Sequence, residues 1–125
     1  MTTNRKRLLM CLIMTLSGSV MAEWDRYFDG SNGDVFFYDR NRIQKEKNLI
    51  NVWNRVRYKT SMMGAESYQS HIRIDCTDYS ETTLQGTFYI DDKWTLPAMA
   101  TDTKRKTKTD ISGNDALEAL AKLFH

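Results

Sequence analysis

Few groups in this chain of 125 residues could do covalent chemistry. A thiolate and its base would have to be Cys76 and His71, which lie five residues apart in a run with strand-like alternation. Successive side chains of a strand point to opposite faces, so an odd offset separates the two. His71 and Asp75 do share a face, but four residues of strand hold them about 13 Å apart, too far for one ion without a third element. His125 sits at the chain end, where side chains are commonly frayed. The sequence has no G-x-S-x-G, no H-E-x-x-H and no phosphate loop. The expectation is a protein that is not an enzyme and carries no metal and no cofactor.

Two features could bind instead. Trp53, Arg55 and Arg57 fall at alternate positions and, with Arg73 on the next expected strand, would form an aromatic and basic stripe opposite the core. Trp and Arg are common anchors of protein interfaces. The plainer reading is the solvated face of a one-sided sheet, with Arg stems covering an aromatic ring. The second feature is Lys104, Arg105, Lys106 and Lys108, four positive charges in five residues. Such a run can hold heparin-like chains, nucleic acid or acidic lipid. Asp102 and Asp110 flank it and dilute its field. The partner expected is another protein at the stripe, with a polyanion at the loop as the alternative.

Charge placement supports that preference. The whole chain has a formal net charge of +2 and a pI near 8.5, yet Arg5, Lys6 and Arg7 stand together before an apolar run over 8–16. A charged start and a short apolar stretch, leading to Ser17, Gly18 and Ser19, make a secretory signal; a membrane span needs about 20 apolar residues. Val20 and Ala22 occupy the small-residue positions of a cleavage site, which places the cut between Ala22 and Glu23. Taking three of the 18 Lys and Arg away leaves 15 against 16 Asp and Glu, so the expected mature domain, 23–125, carries −1. A nucleic-acid binder would show a clear basic excess. The product is expected to be periplasmic, outer-surface associated or secreted. Cys11 leaves with the signal and stands too early in it to form a lipobox, so no lipid anchor is expected. Cys76 is then unpaired, and such a thiol is buried, reactive or paired between chains; burial beside Ile72 and Ile74 is the expectation.

The elements that must position these groups alternate with period two. Trp24, Arg26 and Phe28 alternate ahead of the Asp29-Gly30-Ser31-Asn32-Gly33-Asp34 turn cluster, and 35–39 is a second β-rich run. Ile50, Val52, Asn54, Val56 and Tyr58 share one face of a long strand over 49–59; Tyr68, Ser70, Ile72, Ile74 and Cys76 share one over 67–76. A break over 61–66 separates those two. Leu84, Gly86, Phe88 and Ile90 continue the pattern over 82–91. Near the end the period becomes helical, with Leu117, Leu120, Ala121 and Phe124 on one stripe, Ser112 as the expected cap and Asp115 three residues on. About ten residues of helix are marginal alone in water, so the stripe must pack on the sheet. The fold class is α+β, a single domain in which an antiparallel meander is packed by one C-terminal helix. With 41% apolar and 27% charged residues and a mean hydropathy of −0.57, the composition is that of a globular domain.

An ordered set of residues carries a family resemblance: Trp24, Phe37-Tyr38-Asp39 then Ile43, Val52-Trp53, the Ile72-Arg73-Ile74-Asp75-Cys76 strand, Tyr89, Trp94 and the short final helix. The chain resembles the surface-adhesin protein E family of Gram-negative bacteria across nearly all of 23–125. That resemblance implies an exported, non-enzymatic domain that attaches to host or matrix proteins. In the family pattern the Cys matching Cys76 pairs with one near the chain end, where this sequence reads Leu123-Phe124-His125. Without that crosslink, typically worth about 2–4 kcal/mol, the helical stripe must hold the docking. The family's best-known member is lipid-anchored, a feature the signal here does not share. The rival expectation is an envelope-resident periplasmic accessory or inhibitor protein with no host ligand.

Overall fold

The computed structural model describes residues 21–102 and 107–125. Residues 1–20 of the expected signal, and Lys104, Arg105 and Lys106 of the basic run, lie outside the described residues. Eight strands and one helix are present among those described: β1 (Trp24–Asp29), β2 (Val35–Asp39), β3 (Gln44–Glu46), β4 (Leu49–Met62), β5 (Ala65–Asp75), β6 (Ser80–Tyr89), β7 (Ala98–Asp102), β8 (Lys108–Asp110) and α1 (Asp115–Lys122).

All strands join one antiparallel sheet in the order β1-β2-β4-β5-β6-β7. The short strand β3 also pairs with β4, and β8 also pairs with β6. The meander with a terminal helix is therefore the fold. The long strands reach further than the break at 61–66 suggests. β4 runs to Met62 and β5 starts at Ala65, with only Met63 and Gly64 between them. Both turn residues have positive φ, 53° and 89°, the geometry that matches a two-residue turn to the twist of its strands.

Alternation sends Ile50, Val52, Ile72 and Ile74 to one face, where they are buried with Ile111, Leu120 and Ala121 as the core. Their pairing is direct, Ile50 opposite Ile74 and Val52 opposite Ile72. On β6 the expected face breaks at one residue. His71 pairs with Gln85 and Ile72 with Thr83, so Leu84 is an extra residue in β6. This bulge turns Thr83 and Glu81 onto the core side along with Gly86 and Phe88, and Ile90 lies beyond the strand, exposed.

Helix α1 starts at Asn114, whose side chain accepts from the Leu117 backbone N–H at 3.1 Å. That corrects the expected cap at Ser112, which lies two residues too early: its own N–H is taken by Asp110. The buried stripe is Ala116, Leu120 and Ala121, with Leu117 and Phe124 packed at its margin. Cys76 follows β5, hydrogen-bonded through its N–H to Asn48 O. It is half-buried against the core cluster rather than fully enclosed, because it sits just past the strand end.

Candidate functional site

The face opposite the helix is built by register. Arg26, Phe37, Arg55 and Gln69 lie on one line across β1, β2, β4 and β5. On the next line Trp53 is opposite His71. Arg55 Nε donates to Gln69 Oε1 at 2.8 Å. Its guanidinium carbon lies 3.9 Å from the ring centroid of Trp24 and 4.5 Å from that of Trp94. One cation is thus in contact with two indoles, an attraction of about 0.5–2 kcal/mol for each pair depending on desolvation. Burial lowers the Arg55 pKa, opposed by Tyr89, helped by Arg42 and opposed again by Asp39.

Trp53 stacks on His71 with centroids 4.6 Å apart and planes 10° from parallel. Arg42, from the loop between β2 and β3, lies 5.3 Å from the Trp53 ring and 6.0 Å from Trp24. Arg57 stands 5.5 Å from Phe37, and Phe37 meets Trp94 edge to face at 5.9 Å. Trp94 is held over this face by a 3.3 Å bond from its indole N–H to Tyr68 O. Its φ of 57° is strained for a bulky residue, the kind of outlier that persists where surrounding contacts over-determine it. Beside the stack, Asn41, Arg42, Ile43, Gln44, Trp53 and His71 line a cleft of about 310 Å³.

Of the expected site residues, Trp53, Arg55 and Arg57 come together on this face. Arg73 stands further along it, bonded through Nε to Asn51 Oδ1 at 3.0 Å. Lys108 lies apart, in β8, paired with Asp78 at 2.8 Å and Asp75 at 3.3 Å. Those bonds raise the Lys108 pKa and lower that of Asp78, while Asp75 is lowered first by the Thr77 backbone N–H and then by Lys108. Sequence reasoning missed Trp24, Trp94, Phe37 and Arg42 as members. Trp24 alternates with Arg26 and could have been aligned with the stripe; Trp94 and Arg42 arrive from loops, for which periodicity gives no signal.

A second cavity, about 230 Å³, opens between the sheet and α1, lined in part by Tyr27, Asn54, Ser70, Glu81 and Thr83. Its polar groups satisfy one another. Tyr27 Oη donates to Asn54 Oδ1, Asn54 Nδ2 to Ser70 Oγ, and Thr83 Oγ1 to Glu81 Oε1. Burial raises the Glu81 pKa against that last bond. As for covalent chemistry, His71 faces outward on Trp53 while Cys76 packs toward the core. Among the described residues no three His, Cys, Asp or Glu side chains are placed to share a metal ion, and no helix is long and apolar enough to cross a membrane.

The domain is thus a one-sided antiparallel meander, packed by a helix on one face and presenting rings and guanidiniums in contact on the other. The chain belongs to the family described as Surface-adhesin protein E, which matches residues 24–124. Its fold is that of Haemophilus influenzae protein E. Crystal form II of that protein superimposes with a TM-score of 0.64 at 15% identity, covering 84% of this chain and 88% of the other. A second structure, of protein E from non-typeable Haemophilus influenzae, gives 0.61 at 15% identity, covering 84% and 76%. No curated protein sequence matches the chain.

Proposed function

We propose that this protein is an exported, non-enzymatic adhesin that binds a host or matrix protein through the outer face of its sheet. The observation that carries the reading is Arg55, held against Trp24 and Trp94 and tied to Gln69 before any partner arrives. Ordering long side chains in advance removes an entropy cost that binding would otherwise bear. With Arg26, Arg42, Arg57 and Arg73 around it, the face suits a partner that offers carboxylates beside apolar side chains.

The test is binding of the purified exported protein to immobilised matrix proteins, repeated with Trp53→Ala and Arg55→Ala. Loss of binding in both, with folding retained by circular dichroism, supports the proposal. Full binding by both variants would refute this face. Location separates adhesion from the envelope-resident accessory or inhibitor role. Recovery of the protein on intact cells or in the medium supports adhesion, and release by osmotic shock alone supports the other.

A further inference from the structure

The backbone nitrogen of Glu23 donates to Asp39 Oδ1 at 3.0 Å. Asp39 is fully buried. The same oxygen accepts from Asn41 N at 3.0 Å, and Oδ2 is paired with Arg42 Nε. Glu23 is anchored twice more: its carbonyl accepts from Arg40 N at 3.0 Å, and its carboxylate pairs with Arg40. Arg40 also reaches Asp25 at 3.3 Å. Arg42 is the one cation on the buried Asp39, while Arg40 is shared by the exposed Glu23 and Asp25. The Glu23 nitrogen that reaches Asp39 does so as a neutral amide donor.

Signal cleavage would put a positive charge on this nitrogen. Hydrolysis of the Ala22–Glu23 peptide bond adds one water: Ala22 leaves as a carboxylate, and the Glu23 nitrogen becomes an amine that is protonated at neutral pH. Met21, Ala22 and Glu23 are all exposed, so the bond is open to a peptidase. We infer that Asp39 is the receptor for the processed N-terminus, and that the new ammonium locks the Asp39–Arg42 pair that sets Arg42 over Trp53 and Trp24. A charge-assisted bond replaces an amide bond of the same geometry and is roughly twice as strong. The bond from Asn41 Nδ2 to Met21 O, 2.9 Å, is given up in exchange. Trp24 is the next residue, so the lock also fixes the first of the two indoles on Arg55. This inference rests on the cleavage position read from the sequence and on the outer face being the binding face. It makes the face a property of the processed protein.

The test compares two exported products of the full-length gene. One is the native sequence; the other has a threonine inserted between Ala22 and Glu23, so that cleavage after Ala22 leaves the amine one residue away from Asp39. N-terminal sequencing establishes both starts, and a native product that begins elsewhere than Glu23 overturns the inference. The native product should melt higher, by on the order of 5 °C for a domain of this size. Its tryptophan emission should differ from that of the threonine form, since Trp24 and Trp53 lie at the lock. An ammonium beside a carboxylate has a raised pKa, so the extra stability is complete below about pH 7.7, the ordinary α-amino value, and fades as pH climbs through the raised value. The gap between the two forms should therefore narrow as the pH rises above that ordinary value and close once the amine is neutral in both, and Asp39→Asn should abolish it at pH 7. The pH comparison needs no change at Asp39 and decides the matter if that variant does not fold. Equal melting temperatures and emission in the two products would overturn the lock. Neither readout involves a partner, so the binding proposal stands or falls separately in its own assay.

Discussion

His71 and Trp53 lie in parallel stack, 4.6 Å between centroids, on strands whose register places them opposite each other. Partial burial lowers the His71 pKa, and the charges of Arg42 and Arg73 lower it further. The folded state therefore prefers neutral imidazole. Its contribution to stability is full above the ordinary histidine value, about 6.5, and is lost as pH falls through the lower folded value. An NMR titration should place the His71 midpoint below 6.5. His71→Phe keeps a ring on Trp53 and should remove that part of the acid sensitivity of urea unfolding. A His71 midpoint at or above 6.5 would contradict the stacked, guanidinium-flanked environment.

Arg55 should be the most sensitive position for binding. Arg55→Ala is expected to cost about 2 kcal/mol or more in affinity, the range of desolvated interface anchors. Arg55→Lys keeps the charge but lacks the planar group that lies between Trp24 and Trp94, so it should recover little. Titration calorimetry against the partner checks both. Salt should weaken binding only modestly, because exposed charges alone are screened within about 10 Å at 0.1 M. A steep salt dependence that vanishes on neutralising Lys104, Arg105, Lys106 and Lys108 would move the site to the basic run.

Gly86 lies beneath the ring of Tyr68. A Cβ there would come 2.7 Å from Tyr68 Cζ and closer still to the hydroxyl, and the ring is packed on Phe88 at 4.4 Å. Gly86→Ala must push the ring aside, at about 1–3 kcal/mol for an overpacked contact. Tyr68→Ala in addition should relieve the clash, so the pair should be far from additive in urea unfolding. An additive pair would mean that the ring does not rest on Gly86.

The architecture was legible wherever burial was one-sided. Ile50, Val52, Ile72 and Ile74 alternate strictly because the helix covers only their face, and that pattern revealed β4, β5 and the core. Strand β3 is Gln44–Glu46, polar and exposed throughout, so it exists only by pairing with β4 and leaves no hydrophobic trace. Strands β7 and β8 share the outer edge of β6 within a segment whose composition reads as loop. The bulge at Leu84 has no signature either, because a single extra residue changes faces without changing composition. At the site, Trp53, Arg55 and Arg57 were visible because they share one strand's parity. Trp24 and Trp94 meet Arg55 only through tertiary structure, from residues 31 before and 39 after it.

Cys76 should report how α1 is held. It packs at the edge of the cluster that Leu120 closes, and burial raises its pKa, so little thiolate is available at neutral pH. In the native state it should react slowly with a thiol reagent, and rapidly in denaturant. Leu120 is fully buried, and Leu120→Ala should cost about 2–5 kcal/mol through lost burial and a residual cavity. No described disulfide restrains the helix, since Cys76 is a free thiol. The same variant should therefore loosen α1 and speed Cys76 labelling under native conditions, in proportion to the stability lost. Labelling that stays slow while unfolding shifts would mean that Cys76 is protected by the β3 and β4 side, where Asn48 holds its backbone, and not by the helix. Equally fast labelling in native and denatured protein, or a disulfide-linked dimer on a non-reducing gel, would place the thiol on the surface and contradict its packing against the core.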